Sequence, residues 1–515
     1  MQIKFLNIKK NKCFAMLSIA GLFVLQGCAE KSNDPFDSIH YTPYDKEFTA
    51  RLKGYINSSF DSAQVKSKQG NPALYLDFSS GINKAIGVPD VNSLITHCYN
   101  AILTQNFDVF QLGMQKVTPI AISNPTQLGQ KISSASAYSD IYAPIQVAVE
   151  QIVQSKNDAL LITDFEEWQN NKEITNTAYL KIPFKKWLSE GNSIHFFIAD
   201  YVENKANKHI YFTVFSYGPV DENSMLTKLE KILSPLKRFD LTDVKFKLVS
   251  HYPSEKSGGI FYDSKGTTEI TRNVLDLKET YFNGLKEGKS FEIYPFGLDW
   301  KTIDEIHTAY VEKNDFNDFF RGLSIDLDNE DAFIYNDFAV EVYDVSSDFE
   351  QYEKSEEVKK HKPKIEKGSN GENKFATSEV DKIALFCYEV NGNVKAECIY
   401  KKQDPIPIDE MFVLNTDLFK NTKDVDKKKV DIAVTFHSKY NIRGLKDPDG
   451  LKRIDIITLP PEPNMNNQEL NLFKWVNPKG LPNNALYESI KSTLEENTVR
   501  PPKRVIYSFY IKTLL

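Results

Sequence analysis

Between residues 73 and 237 apolar runs alternate with amphipathic stretches, the pattern of a parallel sheet with helices on both faces. Ala73–Asp77, Asp108–Leu112, Ala159–Thr163, Ser193–Ala199 and His209–Phe215 read as strands. Val117–Ile122 is expected at a sheet edge, because Pro119 has no amide proton to give a central ladder. Val91–Leu103 sets Val91, Leu94, Ile95, Cys98 and Ile102 on one helical stripe, and Pro89-Asp90 before it is a helix start. Ile141–Val153 does the same with Ile141, Ile145, Ala148, Val149 and Ile152, Pro144 falling in its first turn. Pro183–Leu188 and Ser224–Leu236 read as further helices. The predicted class is α/β: a doubly wound, mostly parallel sheet over residues 45–237.

Beyond that point the texture becomes strand-rich. Residues 240–350 read as a mixed β-rich region and residues 375–515 as a β-rich, sandwich-like C-terminal domain, interrupted by one helix at Asn484–Glu495. Between them Gln351–Lys374 holds twelve Lys or Glu among 24 residues and a Gly-Ser-Asn-Gly turn, so it reads as a charged linker or loop. Ile383–Val390 and Val394–Tyr400 flank Asn391-Gly392, a hairpin signal that sets Cys387 and Cys398 within reach of a bridge. The spacing alone leaves that bridge open.

Composition adds an address. Lys4, Lys9, Lys10 and Lys12 precede the apolar run Phe14–Leu25, which is too short to span a bilayer comfortably. The run ends Leu25-Gln26-Gly27-Cys28, which resembles a bacterial lipoprotein signal. That resemblance implies a signal peptide over residues 1–27, lipidation of Cys28, and a tether over 28–44. It places the protein at the outer membrane, facing the periplasm or the cell surface, held by its lipid without crossing. The formal charge of −7 becomes −11 once the four leader lysines are removed, and no dense basic patch occurs, so nucleic acid is not an expected partner.

The candidate chemistry lies where strands end. Leu74–Gly81 runs from apolar residues into Asp77, Ser79, Ser80 and Gly81, as a buried strand delivers polar atoms to the carboxyl edge of a sheet. Asp164 leaves the later strand, and Ser139 stands just before the second long helix. These are oxygen donors without His or Cys, a set suited to Mg²⁺ or Mn²⁺ and not to zinc. A plain alternative is that the same residues satisfy loop amides and cap helices.

The order of elements, with Asp77-Phe78-Ser79-Ser80-Gly81, Ser139 and Asp164, resembles a von Willebrand factor A-type domain over about a third of the chain. In that family an Asp-x-Ser-x-Ser motif, a threonine and an aspartate form a metal-ion-dependent adhesion site. The resemblance implies metal ligation through Asp77, Ser79, Ser139 and Asp164, with an acidic group of the partner completing the shell. Here Gly81 replaces the second serine, Ser139 the threonine, and Phe165-Glu166-Glu167 follows the last aspartate where a glycine is usual. Weakened or altered metal binding is expected. The tandem aspartates of haloacid-dehalogenase-like phosphatases, Gly-x-Ser-x-Gly and His-Glu-x-x-His are all missing, and the eight histidines are scattered. The expected function is an envelope binding or adhesion protein for a protein or glycan ligand. The alternatives are an assembly component with an inactive metal site, and a hydrolase with its site in the C-terminal half.

Overall fold

The computed structural model of the protein describes residues 46–59, 68–250, 331–414 and 450–514 with brief interruptions. It also describes residues 35–36 and the strands at 283–284, 292–299, 320–328 and 429–436. The proposed leader and Cys28 lie outside the described residues. No helix among the described residues is long and apolar enough to cross a membrane.

After the helix Lys46–Ser59 (α1), the α/β region runs in chain order as follows. Ala73–Asp77 (β1) leads into Ser80–Ile86 (α2) and Pro89–Ile102 (α3). Asp108–Gly113 (β2), Lys116–Pro119 (β3) and Pro125–Ser133 (α4) come next, then Ile145–Ser155 (α5) and Ala159–Thr163 (β4). A small hairpin, Trp168–Gln169 (β5) with Lys172–Glu173 (β6), precedes Lys181–Ser189 (α6). Ser193–Glu203 (β7), Ala206–Ser216 (β8), Met225–Leu233 (α7) and Lys237–Leu241 (β9) close the region. Seven strands form one sheet in the order β3-β2-β1-β4-β8-β7-β9.

The sheet is mixed. β1 pairs in parallel with β2 and β4, and the ends of β1 and β4 carry Asp77 and Asp164. The pairs β2–β3, β4–β8, β8–β7 and β7–β9 are antiparallel. β7 and β8 are joined by a tight hairpin turn with Lys205 at a φ of 70°, so they must run oppositely. The expectation of a mostly parallel sheet therefore holds for its centre, and hairpin connections turn the flanks antiparallel.

Period-two alternation divides the core between the two faces. Leu74, Leu76, Leu160, Ile162, Phe197 and Phe212 pack with apolar residues of α2, α3, α4 and α7. Tyr75, Leu161, Phe196, Tyr211 and Phe215 pack with α5 and α6. α5 starts at Ile145 and not at Ile141, because Pro144 disfavours helical backbone in the residue before it. Ile141 is correspondingly exposed.

The C-terminal part is not a separate domain. Residues 43–356 and 400–515 form one unit. Leu470, Phe473, Trp475 and the helix Ala485–Leu494 belong to the same apolar cluster as α5 and α6. The Tyr211 hydroxyl donates to the Leu472 carbonyl at 2.7 Å, and the Phe473 ring meets Phe196 and Phe239 at 5.0 and 5.1 Å. Glu496 bridges Lys181 and Lys185, each at 2.7 Å. Two further sheets mix strands from before and after residue 374: Phe338–Asp344 pairs along its length with Leu451–Thr458, and Phe320–Asp328 with Lys429–Phe436. Long-range strand pairing, invisible to local pattern, thus overrides the division into regions 240–350 and 375–515.

Residues 357–399 form a second, small unit, against whose core Phe36 packs. The expected linker Gln351–Lys374 is ordered instead: it contains the end of a helix, Ser346–Lys360, and most of a hairpin, Ile365–Lys367 with Asn373–Phe375. Helix there follows from charged residues of good helix propensity with Val358 buried on one side. The next expected hairpin is reduced to its turn and one bridge, Tyr388 to Val394. Lys382–Cys387 is a helix, because the Asp381 side chain caps it by accepting from the Ala384 amide at 2.8 Å. Ile383, Ala384 and Cys387 then share its buried face. Cys387 and Cys398 form a disulfide.

Candidate functional site

The carboxyl ends of β1 and β4 bring Asp77 and Asp164 together. One Asp77 oxygen accepts from the Ser79 amide and the other from the Thr163 hydroxyl, both at 2.7 Å. The Ser79 hydroxyl hydrogen-bonds Asp77 as well. Asp164 accepts from the Glu166 amide at 3.1 Å through one oxygen and turns the other toward α2. That second oxygen lies 2.8 Å from where a Cβ on Gly81 would stand, and the Ser79 hydroxyl lies 4.0 Å from the same point. Gly81 is therefore the residue that lets Asp164 approach β1, and a serine in its place would push the carboxylate away.

The third segment of the expected set, the loop before α5, arrives through backbone. Ser80 donates its amide to the Asp140 carbonyl at 2.7 Å, and Ser79 and Asp140 form a parallel bridge. Ser139 thus sits on a loop tied to the site, but its side chain is exposed. Asp77, Ser79 and Asp164 converge, and Ser139 stands at the rim.

Phe165 follows Asp164 with a φ of 58°, the left-handed region that favours glycine. Burial holds it there: its ring is fully enclosed against Phe196 and Tyr211, and its carbonyl accepts from the Tyr179 hydroxyl at 3.1 Å. The two glutamates that follow have separate partners. Glu167 accepts from the Ile145 and Gln146 amides at 2.8 and 3.0 Å, so a residue from another loop satisfies the N-terminus of α5. Glu166 meets the Lys208 ammonium at 2.5 Å, and Glu203 meets it from the other side at 2.5 Å.

Electrostatics follow from burial. Asp77, Asp164 and Glu166 are all pushed above the usual carboxylate range by burial, Asp164 further by Asp77 and Glu166 further by Asp164, while Lys208 pulls the last two back. Burial would lower Lys208, but Glu166 and Asp164 outweigh it and hold it charged. The buried Tyr201 hydroxyl makes no hydrogen bond among the described residues, and Asp164, Glu166 and Glu203 bear on it electrostatically.

No group of three or more His, Cys, Asp or Glu side chains among the described residues is arranged to hold a metal ion. A shell of two carboxylates, serine hydroxyls and water is a sparser set, compatible with the hydration Mg²⁺ keeps. The donor chemistry fits a hard cation, and the nearby ammonium competes with it.

Sequence reasoning missed Thr163, Lys208, Tyr201 and the capping role of Glu167. Thr163 adjoins Asp164 and was legible as a hydroxyl at a strand end. Lys208 carried no local signal, since only the pairing of β8 with β4 and β7 brings it there. A second polar chain joins Ser193 Oγ to His195 Nε2 at 2.8 Å and His195 Nδ1 to Asp240 at 2.7 Å, with Arg238 on Asp240 at 2.8 Å. It has the order of a nucleophile, base and acid, yet each of the three is less than a tenth exposed. Burial opposes ionisation of Asp240, but His195 and Arg238 hold it well below the usual range. This network is a satisfied core histidine.

In comparisons with protein-family models, curated protein sequences and solved structures, nothing matches the chain.

Proposed function

We propose that the chain is a lipid-anchored envelope protein whose α/β unit binds a protein or glycan partner at the carboxyl edge of β1 and β4, assisted by Mg²⁺ or Mn²⁺. The observation that carries this is the approach of Asp164 to Asp77 and Ser79 across Gly81. Buried carboxylates that resist ionising side by side gain from a cation between them. Asp77 and Asp164 would hold it largely through water, Ser79 directly, and Ser139 from the rim. A bound cation supplies charge to which an acidic group of a partner can attach. The lipoprotein-like leader supports the envelope location.

Lys208 favours a second reading, in which its ammonium already supplies the positive charge and the edge serves assembly without metal. Calorimetry separates the two. Titrating Mg²⁺ or Mn²⁺ into the processed protein is expected to give weak binding, lost in Asp164→Asn and in Asp77→Ala. Lys208→Gln should tighten it roughly tenfold by removing a competing charge. No heat in the wild type and none in Lys208→Gln would leave the metal-free reading.

A further inference from the structure

We propose that the small disulfide-linked unit is a foot that inserts apolar side chains into the surface of the bilayer holding the lipid anchor. This rests on the reading of Cys28 as the lipidated residue. The unit has a modest core of Val358, Ile383, Ala384, Cys387, Tyr388 and Cys398. Outside that core it exposes Leu385 (55%), Phe386 (49%), Val390 (53%) and Ile399 (51%). Phe386 and Ile399 adjoin the bridged cysteines, whose Cα atoms are 5.6 Å apart, and the Lys395 ammonium holds the Phe386 carbonyl at 2.7 Å. Four side chains of this size exposed within residues 385–399, on segments joined by the disulfide, mark this part of the unit as an interaction surface.

The chain itself indicates the occupant. Phe36 packs against the core of this unit, and it lies only eight residues after Cys28. An extended chain of that length reaches no more than about 30 Å, so an acylated Cys28 keeps the unit beside the bilayer surface. Residues 357–399 hold eight lysines against seven Asp and Glu, a near balance that points to apolar insertion and not to attraction by anionic headgroups. The disulfide keeps the insertion surface folded on a core too small to be secure alone.

The test uses the processed full-length protein reconstituted into vesicles of phosphatidylcholine, with or without bromine on the acyl chains. Co-flotation with vesicles, and its loss in Cys28→Ala, reads the anchor. Tryptophan emission reads the foot: Phe386→Trp is expected to lose about half of its added emission to brominated lipid, at low and high salt alike. An anchored protein whose added emission ignores bromine overturns the foot and leaves the anchor standing, and points instead to a protein partner for this surface. Quenching that disappears at high salt also overturns insertion. A chain that never floats removes the anchor reading and the foot with it.

Discussion

Phe165 shows most plainly how one residue is held against its own preference. Left-handed backbone costs a side-chain-bearing residue about 1–2 kcal/mol, and its ring contacts with Phe196 and Tyr211 offset that. Strain of this kind gathers at functional edges, and here it turns the chain sharply after Asp164. Phe165→Ala is expected to lose about 3–5 kcal/mol of unfolding free energy in denaturant titrations. Phe165→Gly loses the same ring but relieves the backbone, so it should retain about 1 kcal/mol more than the alanine variant. An alanine variant as stable as the glycine one would contradict the strain.

At the scale of elements, α5 depends on a residue it does not contain. Its N-cap position is Pro144, whose side chain cannot accept a hydrogen bond, and Glu167 replaces the missing cap. Burial raises Glu167 to about 7 although the Gln146 and Ile145 amides favour its charged form. A carboxyl whose folded pKa lies above its unfolded value binds more protons when folded. Its contribution is full below the unfolded value of 4.5 and declines as pH rises through about 7. Thermal unfolding should therefore show stability falling between about pH 5 and pH 8, by at most about 3 kcal/mol from this group. Glu167→Gln, which keeps an acceptor but cannot ionise, should flatten that slope. An unchanged slope would show that Glu167 does not titrate with folding. Elements also show where pattern reading misleads: the charge-rich stretch 351–374 read as a linker or loop, yet it holds the end of a helix with Val358 buried. Where a hairpin strand was expected from Ile383, the Asp381 side chain caps a helix instead.

The whole molecule couples its ends. Phe473, Trp475, Leu486 and Ile490 share a core with α5, α6 and the central sheet, more than two hundred residues earlier. Asn477 and Asn483 both donate to Glu173, at 2.8 and 2.7 Å, and the Ser489 hydroxyl accepts from the Leu180 amide at 3.2 Å. The larger unit should accordingly unfold as one. Phe473→Ala is expected to cost about 3–5 kcal/mol and to shift far- and near-ultraviolet circular dichroism together in a single transition. Separate transitions would restore an independent C-terminal domain.

The main strands and the longer helices of residues 73–237 were readable because their apolar periods are local, whereas the short helices Ser80–Ile86 and Pro125–Ser133 were not. Asp77, Ser79 and Asp164 were readable too, since strand ends advertise their polar residues. The Asn391-Gly392 turn was readable on the same ground. Direction of the outer strands, the partner of Lys208, the cap supplied by Glu167 and the fusion of the C-terminal helix into the first core were not. Each depends on which distant segments meet, and a linear pattern records what a residue prefers to be buried with or exposed to, never which neighbour it finds. Tertiary contact alone decides whether a carboxylate at a strand end faces water, an amide, an ammonium or another carboxylate.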